Sequence, residues 1–120
     1  MIFIGGCATT APLDINDSTK ESYEKLREKV YTLAKRYAIN DRESAESIGY
    51  AIRSQCNKEI SEVIDQQGNW LRPQLYGSNK EQLIYDFKQK QEEELRQKIW
   101  ELAISIVVEA RNETIVNQSE

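Results

Sequence analysis

The side chains that most often carry out chemistry in proteins are scarce in this chain. It contains no histidine and two cysteines, Cys7 and Cys56. Histidine is the commonest general base and the commonest metal ligand at neutral pH. A catalytic arrangement that pairs serine or cysteine with histidine is therefore excluded, as is a zinc site with a histidine ligand or with four cysteines of one chain. We expect no metal, no other cofactor and no enzymatic activity.

The remaining candidates for acid–base or thiol chemistry have structural explanations. A catalytic carboxyl pair needs one member in an apolar pocket that shifts its pKa. Of the three carboxylates at 92–94, Glu92 instead stands four residues before Arg96, which is the spacing of ion pairs on a solvated helix face. Cys56 lies on the apolar face of a predicted helix, and we expect a buried structural thiol.

Cys7, near the start of the chain, lies in a sequence context different from that of Cys56. It ends the quartet Ile4-Gly5-Gly6-Cys7, and residues 8–17 follow it without helical or strand periodicity. This quartet resembles the lipobox of bacterial lipoproteins. Ile4 matches its aliphatic position, and Gly5 and Gly6 match the small positions that let extended backbone enter the cleft of the signal peptidase. Cys7 matches the acceptor that receives diacylglycerol and becomes the new N-terminus. The resemblance implies a lipidated Cys7 and a flexible tether within residues 7–17.

The residues before Cys7 and the one after it extend this interpretation. A secretory signal has a charged region and roughly 7–15 apolar residues, whereas only Met1–Ile4 precede the glycines. We interpret residues 1–6 as the end of a signal peptide that begins upstream of Met1. On the lipoprotein sorting pattern, Ala8 in place of aspartate implies the outer membrane of a host with two membranes, with the domain on its periplasmic side. Several acyl chains anchor a protein effectively, so no basic patch is required.

Apolar periodicity predicts three helices within residues 18–113, and residues 114–120 form a polar tail. A capping box at Ser18 opens the first helix, which reaches about residue 38. The second begins at Asn40 or Asp41 and reaches about residue 65, and its internal Gly49 predicts the close approach of a neighbouring helix. After a loop at 66–77, a second capping box at Ser78 opens the third helix, which reaches about residue 112. The sequence predicts an all-α fold, as a small three-helix bundle or a helical hairpin with a long third helix.

Two regions are candidates for contact with a partner. The segment 99–110 is apolar on nearly every side, so it is either the central helix of the bundle or also faces another molecule. We expect Trp100 or Ile104 to be partly exposed there and to form a surface for self-association or for a partner. The loop contributes Trp70, Arg72 and Tyr76, residue types that dominate binding energy at interfaces. Leu71 and Leu75 are expected to cap the bundle, while Trp70 is open to either role.

The charge of the chain narrows the range of partners. A net charge of −4 and a pI near 5.0 argue against nucleic acid, which requires a basic face. The apolar runs are also too short to cross a membrane. The most economical function is a lipid-anchored helical protein of the bacterial envelope that acts as a non-catalytic accessory or adaptor. The alternative is a soluble cytosolic helical oligomerisation or regulatory protein, such as one encoded by a phage or plasmid, and the third is an enzyme of unknown class.

Overall fold

The chain is all-α over the residues that the computed structural model describes, 17–40 and 42–119, where no strand occurs. The all-α prediction is therefore confirmed. The elements are the helices α1 (Asp17–Ala38), α2 (Ala45–Gln55), α3 (Asn57–Leu71) and α4 (Lys80–Ser119), with a short 3-10 helix at Arg72–Gln74 after α3. None of these helices combines the length and the apolar character that crossing a bilayer requires.

The directions of the helices follow from contacts along α4. Near its end, Arg111 donates to the carbonyl of Ala38, the last residue of α1, at 3.1 Å. Earlier residues of α1, including Glu24 and Tyr31, line a groove with Leu102 and Ile106, so α1 and α4 run in the same direction. Earlier in α4, Arg96 donates to the side chain of Asn57 at 2.8 Å. Further along, Trp100 donates to the carbonyl of Glu46 at 3.3 Å. Since the later α4 residue meets the earlier residue of the α2–α3 segment, that segment runs antiparallel to α4.

The core lies where α1 and the α2–α3 segment both cover α4. Residues from all four helices are fully or almost fully buried, among them Leu26, Val30, Ile52, Ile60, Val63, Ile99, Ala103 and Val107. Burying an aliphatic side chain of this kind contributes about 1.5–3 kcal/mol relative to leaving it exposed. Of the apolar residues that recur every three or four positions along α1, Leu26, Val30 and Leu33 are buried, whereas Tyr23 stays 37% exposed.

The second predicted helix begins later than expected and is divided in two. Ser44 caps α2, and its hydroxyl accepts a hydrogen bond from the backbone N–H of Ser47 at 3.1 Å. Asn40, which we expected as a cap, accepts instead from the backbone N–H of Arg42 within the turn; Asp41 lies outside the described residues. At Cys56 the backbone leaves helical geometry, with φ −101° and ψ 11°, and α3 begins at the next residue.

A lysine from α1 satisfies the backbone at this break. The last carbonyls of a helix have no partner within it, and the carbonyl of Gln55 accepts a hydrogen bond from Lys29 Nζ at 2.8 Å. The same ammonium donates to Glu59 Oε1 at 3.0 Å. Burial would raise the pKa of Glu59, but the hydrogen bond from Lys29, a backbone hydrogen bond and the charges of Lys29 and Lys58 together hold that pKa below its usual value. Lys29 therefore joins α1 to the end of α2 and to the first turn of α3.

The other helix boundaries also differ from expectation. Helix α3 continues through Leu71, so residues 66–71 are helical and the connection to α4 is shorter than the predicted loop. Gly77 adopts a positive φ of 107° in that connection, a conformation that costs glycine little. Helix α4 begins at Lys80, where Leu83 N–H bonds to the carbonyl of Asn79 at 3.0 Å. It continues to Ser119, beyond the expected end near residue 112.

We expect Lys29→Met to lower the free energy of unfolding by about 1–2 kcal/mol near neutral pH, because the Gln55 carbonyl loses its donor and Glu59 its cation. The lowered pKa of Glu59 contributes stability above the unfolded-state pKa, and this is lost as pH falls through the folded-state pKa. Urea unfolding at about pH 7 and about pH 3 should therefore show a smaller gap between wild type and variant at the lower pH.

The control for this prediction is Lys25→Met, which removes an exposed lysine one turn earlier in α1. It should change the free energy of unfolding by no more than about 0.5 kcal/mol. A gap between wild type and Lys29→Met that stays constant with pH would contradict the role assigned to the ion pair.

Candidate functional site

The lipobox-like quartet precedes the described part of the chain. Ile4, Gly5, Gly6 and Cys7 all lie outside the described residues, and their assignment remains a prediction. Helix α1 begins at Asp17, ten positions after Cys7.

Trp100 lies at the contact between α4 and α2 and is partly buried. Its Nε1 donates to the carbonyl of Glu46 at 3.3 Å. Its ring lies so close to Gly49 that a Cβ added there would be 3.0 Å from Cδ1, and 3.1 Å from Cγ1 of Ile104. The close approach predicted at Gly49 is confirmed. Ile104 is also partly buried. Trp100 and Ile104, which flank the polar stripe of α4 formed by Glu101, Ser105 and Glu109, therefore both retain some exposure, as expected.

Two residues of α2 extend this surface outward. The rings of Tyr50 and Trp100 have centroids 5.3 Å apart and are tilted by 33°. The guanidinium carbon of Arg53 lies 5.0 Å from the centroid of the Tyr50 ring, in cation–π range. Tyr50 is 52% exposed. We call the four residues Tyr50, Arg53, Trp100 and Ile104 the α2/α4 face.

The apolar periodicity of the sequence did not identify Tyr50 or Arg53 as members of this surface. One feature of the sequence could have indicated this surface. Tyr50 and Arg53 stand three positions apart on the same helix, directly after Gly49, which lets a neighbouring helix approach.

The connection between α3 and α4 forms a separate region. Tyr76 is 86% exposed, whereas Trp70, Leu71 and Leu75 are partly buried. The guanidinium of Arg72 forms an ion pair with Glu81. Glu81 lies in α4 nineteen residues before Trp100, which is about 30 Å along the helix at 1.5 Å per residue. The structure therefore brings Trp100 and Ile104 together but keeps Trp70, Arg72 and Tyr76 apart from them.

A groove of about 450 Å³ lies between α3 and the first half of α4. Three carboxylates reach it, and each faces a cation: Asp65 pairs with Lys88 at 2.9 Å, Glu92 with Arg96 at 3.0 Å, and Glu81 with Arg72. The expected pairing of Glu92 with Arg96 is thus present. Within the described ranges, no three histidine, cysteine, aspartate or glutamate side chains are grouped so as to hold a metal ion.

Cys56 occupies the junction of α2 and α3 with a relative exposure of 0%. Burial raises the pKa of its thiol; the charge of Lys29 opposes this effect without overcoming it. Reactive thiols combine a depressed pKa with partial exposure, and Cys56 has neither. The prediction of a buried thiol is confirmed, although it lies at a helix break rather than within one helix.

Comparison with protein-family models, with curated proteins and with solved structures gives no match for this chain.

Cys56→Ala should lower the free energy of unfolding by about 1–2 kcal/mol through lost burial and a small cavity. In a Cys7→Ser background, the Cys56 thiol should react with a maleimide only when the protein is unfolded. Stoichiometric labelling of the folded protein within minutes would show that Cys56 is accessible.

The two helical glycines provide a matched pair of substitutions. Replacing glycine by alanine in a helix gains about 1 kcal/mol of propensity. At Gly49 the new methyl group meets the Trp100 ring, which is held by Tyr50 and by the Glu46 carbonyl. At Gly68 the methyl group meets only the flexible side chain of Lys88, with Cδ at 3.0 Å.

We therefore expect Gly49→Ala to reduce the free energy of unfolding by about 1 kcal/mol and Gly68→Ala to raise it by up to about 1 kcal/mol. Chemical denaturation of the two variants measures both effects. Equal stabilisation by both substitutions would mean that the Trp100 ring moves freely away from α2.

Proposed function

We propose that this protein is a lipid-anchored helical protein of the bacterial envelope that acts as a non-catalytic accessory or adaptor. The observation that carries the proposal is the quartet Ile4-Gly5-Gly6-Cys7, placed ten residues ahead of the helical domain that begins at Asp17. In this proposal Cys7 carries the acyl chains, and Ala8 directs the protein to the periplasmic face of the outer membrane. Ten residues span at most about 35 Å when extended, so the helical domain stays close to the bilayer.

We treat the helical domain as a three-helix bundle with a long last helix. In this description α2 and α3 form one bent helix, because the break at Cys56 occupies one residue and both segments run antiparallel to α4. Since α1 also runs antiparallel to α3, the start of α1 is at the end of the bundle where α3 finishes. The first residue of α1, Asp17, therefore lies at the same end of the bundle as Trp70 and Tyr76.

This placement supports an adaptor role for the loop. Tyr76 is 86% exposed, and Trp70 at the end of α3 and Arg72 in the 3-10 helix lie within six residues of it. This end of the bundle therefore combines the residue types that supply most binding energy at interfaces. A protein partner held at this end would lie within reach of the same membrane to which Cys7 is attached. We propose that the partner is another component of the envelope.

Incorporation of labelled palmitate tests the lipid anchor. The full-length gene product, expressed in a bacterial host, should be labelled at Cys7, and Cys7→Ser should remain as an unlabelled, unprocessed precursor. Cys56→Ala is the matched control and should be labelled like the wild type. Equal labelling of the Cys7→Ser protein, or no labelling of an expressed wild type, would contradict the proposal and favour the cytosolic alternative.

The coding region upstream of Met1 offers an independent check. An in-frame extension with lysine or arginine followed by an apolar stretch is expected. A ribosome-binding site directly before Met1 would contradict it.

A further inference from the structure

Helix α2 presents to solvent a short stripe that combines an acidic, an aromatic and a basic side chain. Glu46, Tyr50 and Arg53 stand at positions i, i+4 and i+7, so they share one side of the helix. Glu46 and Tyr50 are exposed and Arg53 is partly buried. The stripe is about 10 Å long at 1.5 Å per residue. It carries negative charge at one end, an aromatic ring in the middle and positive charge at the other end.

Neither charge of this stripe has an ionic partner among the described residues. Among the residues that the structure describes, neither the Glu46 carboxylate nor the Arg53 guanidinium forms an ion pair, and the guanidinium rests against the Tyr50 ring. Of the five other partly buried cations in the described residues, Lys29, Lys88 and Arg96 each pair with a carboxylate, and Arg111 donates to backbone carbonyls. Two opposite charges on either side of the half-exposed Tyr50 are therefore available for ionic contacts outside the chain.

We propose that the α2/α4 face binds a second copy of this chain across a two-fold axis, with the two α2 helices antiparallel. A two-fold interface places one surface patch against itself in reverse order. Arg53 then lies opposite Glu46 of the partner subunit, and the arrangement occurs twice in each dimer. The rings of Tyr50 and Trp100 meet their copies between the two charge pairs, with Ile104 beside them.

Charge complementarity favours a second copy of this chain, rather than an unrelated protein, as the partner that binds the α2/α4 face. The stripe is acidic at one end and basic at the other, at nearly equal distances from Tyr50, so it is complementary to itself when rotated by 180°. In such an interface the aromatic centre supplies most of the affinity, while the flanking charges determine register and orientation. The inference does not depend on the lipid anchor, because the face lies entirely within the folded domain.

Charge reversal tests the antiparallel arrangement directly. Sedimentation velocity of the unlipidated full chain over a concentration series should show a monomer–dimer equilibrium. Arg53→Glu places Glu46 opposite a glutamate, and Glu46→Arg places Arg53 opposite an arginine. Each single substitution should therefore weaken dimerisation at least about tenfold. The double variant Glu46→Arg/Arg53→Glu should restore it, because each pair again joins unlike charges.

Mixing the two single variants gives the most specific result. An equimolar mixture of the Glu46→Arg and Arg53→Glu chains should form a heterodimer, since both pairs then join an arginine to a glutamate. Arg27→Glu is the control, because it reverses an exposed charge on α1 that pairs with Glu24 and should leave the dimer unchanged. Circular dichroism should show the same helicity for all variants.

Fluorescence reports on the same face without a charge change. In a Trp70→Phe background Trp100 is the only tryptophan, and its quenching by iodide should fall as dimer forms. A wild type that stays monomeric up to about 1 mM, or a mixture of single variants without heterodimer, would overturn the proposal. A dimer whose dissociation constant is unchanged by every charge reversal would mean that the interface lies elsewhere on the protein, and would also overturn the proposal.

Discussion

The positions of the other helices depend on the apolar surface of α4, which is too wide for one neighbour to cover. Ile99, Ala103 and Val107 are at most 1% exposed at its centre, and each packed helix shields only a limited arc. Helix α1 covers the side of Leu102 and Ile106. On the other side, Gly49 lets α2 approach until the Trp100 ring touches its backbone. The edge of the arc that remains partly exposed is occupied by Trp100 and Ile104.

Much of this arrangement could be predicted from the sequence because it rests on patterns local to one helix. A capping box and the spacing of apolar residues predicted α1 to within two residues of its observed bounds, although Ser18, expected as the cap, lies inside the helix. The glycine inside an apolar helix predicted the close approach at Gly49. The burial of Cys56 followed from its place on an apolar face. The partial exposure of Trp100 followed from its position beside the polar stripe of α4.

What the sequence did not predict depends on contacts between distant segments. No residue near Cys56 is a strong helix breaker; the carbonyl freed at the break is satisfied by Lys29, twenty-six residues before Gln55. Helix α3 continues past Gly68, where the side chain of Lys88 from α4 packs against it. The aromatic and arginine pair of α2 became recognisable only once Trp100 lay beside Tyr50. The quartet ending at Cys7 precedes the described residues and remains a prediction.

The buried side chains of α4 are unevenly distributed along the helix, and this distribution affects which part of α4 unfolds locally at lower free energy. Although α4 is a continuous helix of 40 residues, Ile84 is the single buried side chain between residues 80 and 94, whereas five are buried between 95 and 107. Segments with few buried apolar contacts open at lower free energy than the core. Amide hydrogens in the first four turns of α4 should therefore exchange with solvent through fluctuations that leave the centre of the helix intact. A helix that is geometrically uniform would then consist of two cooperative units.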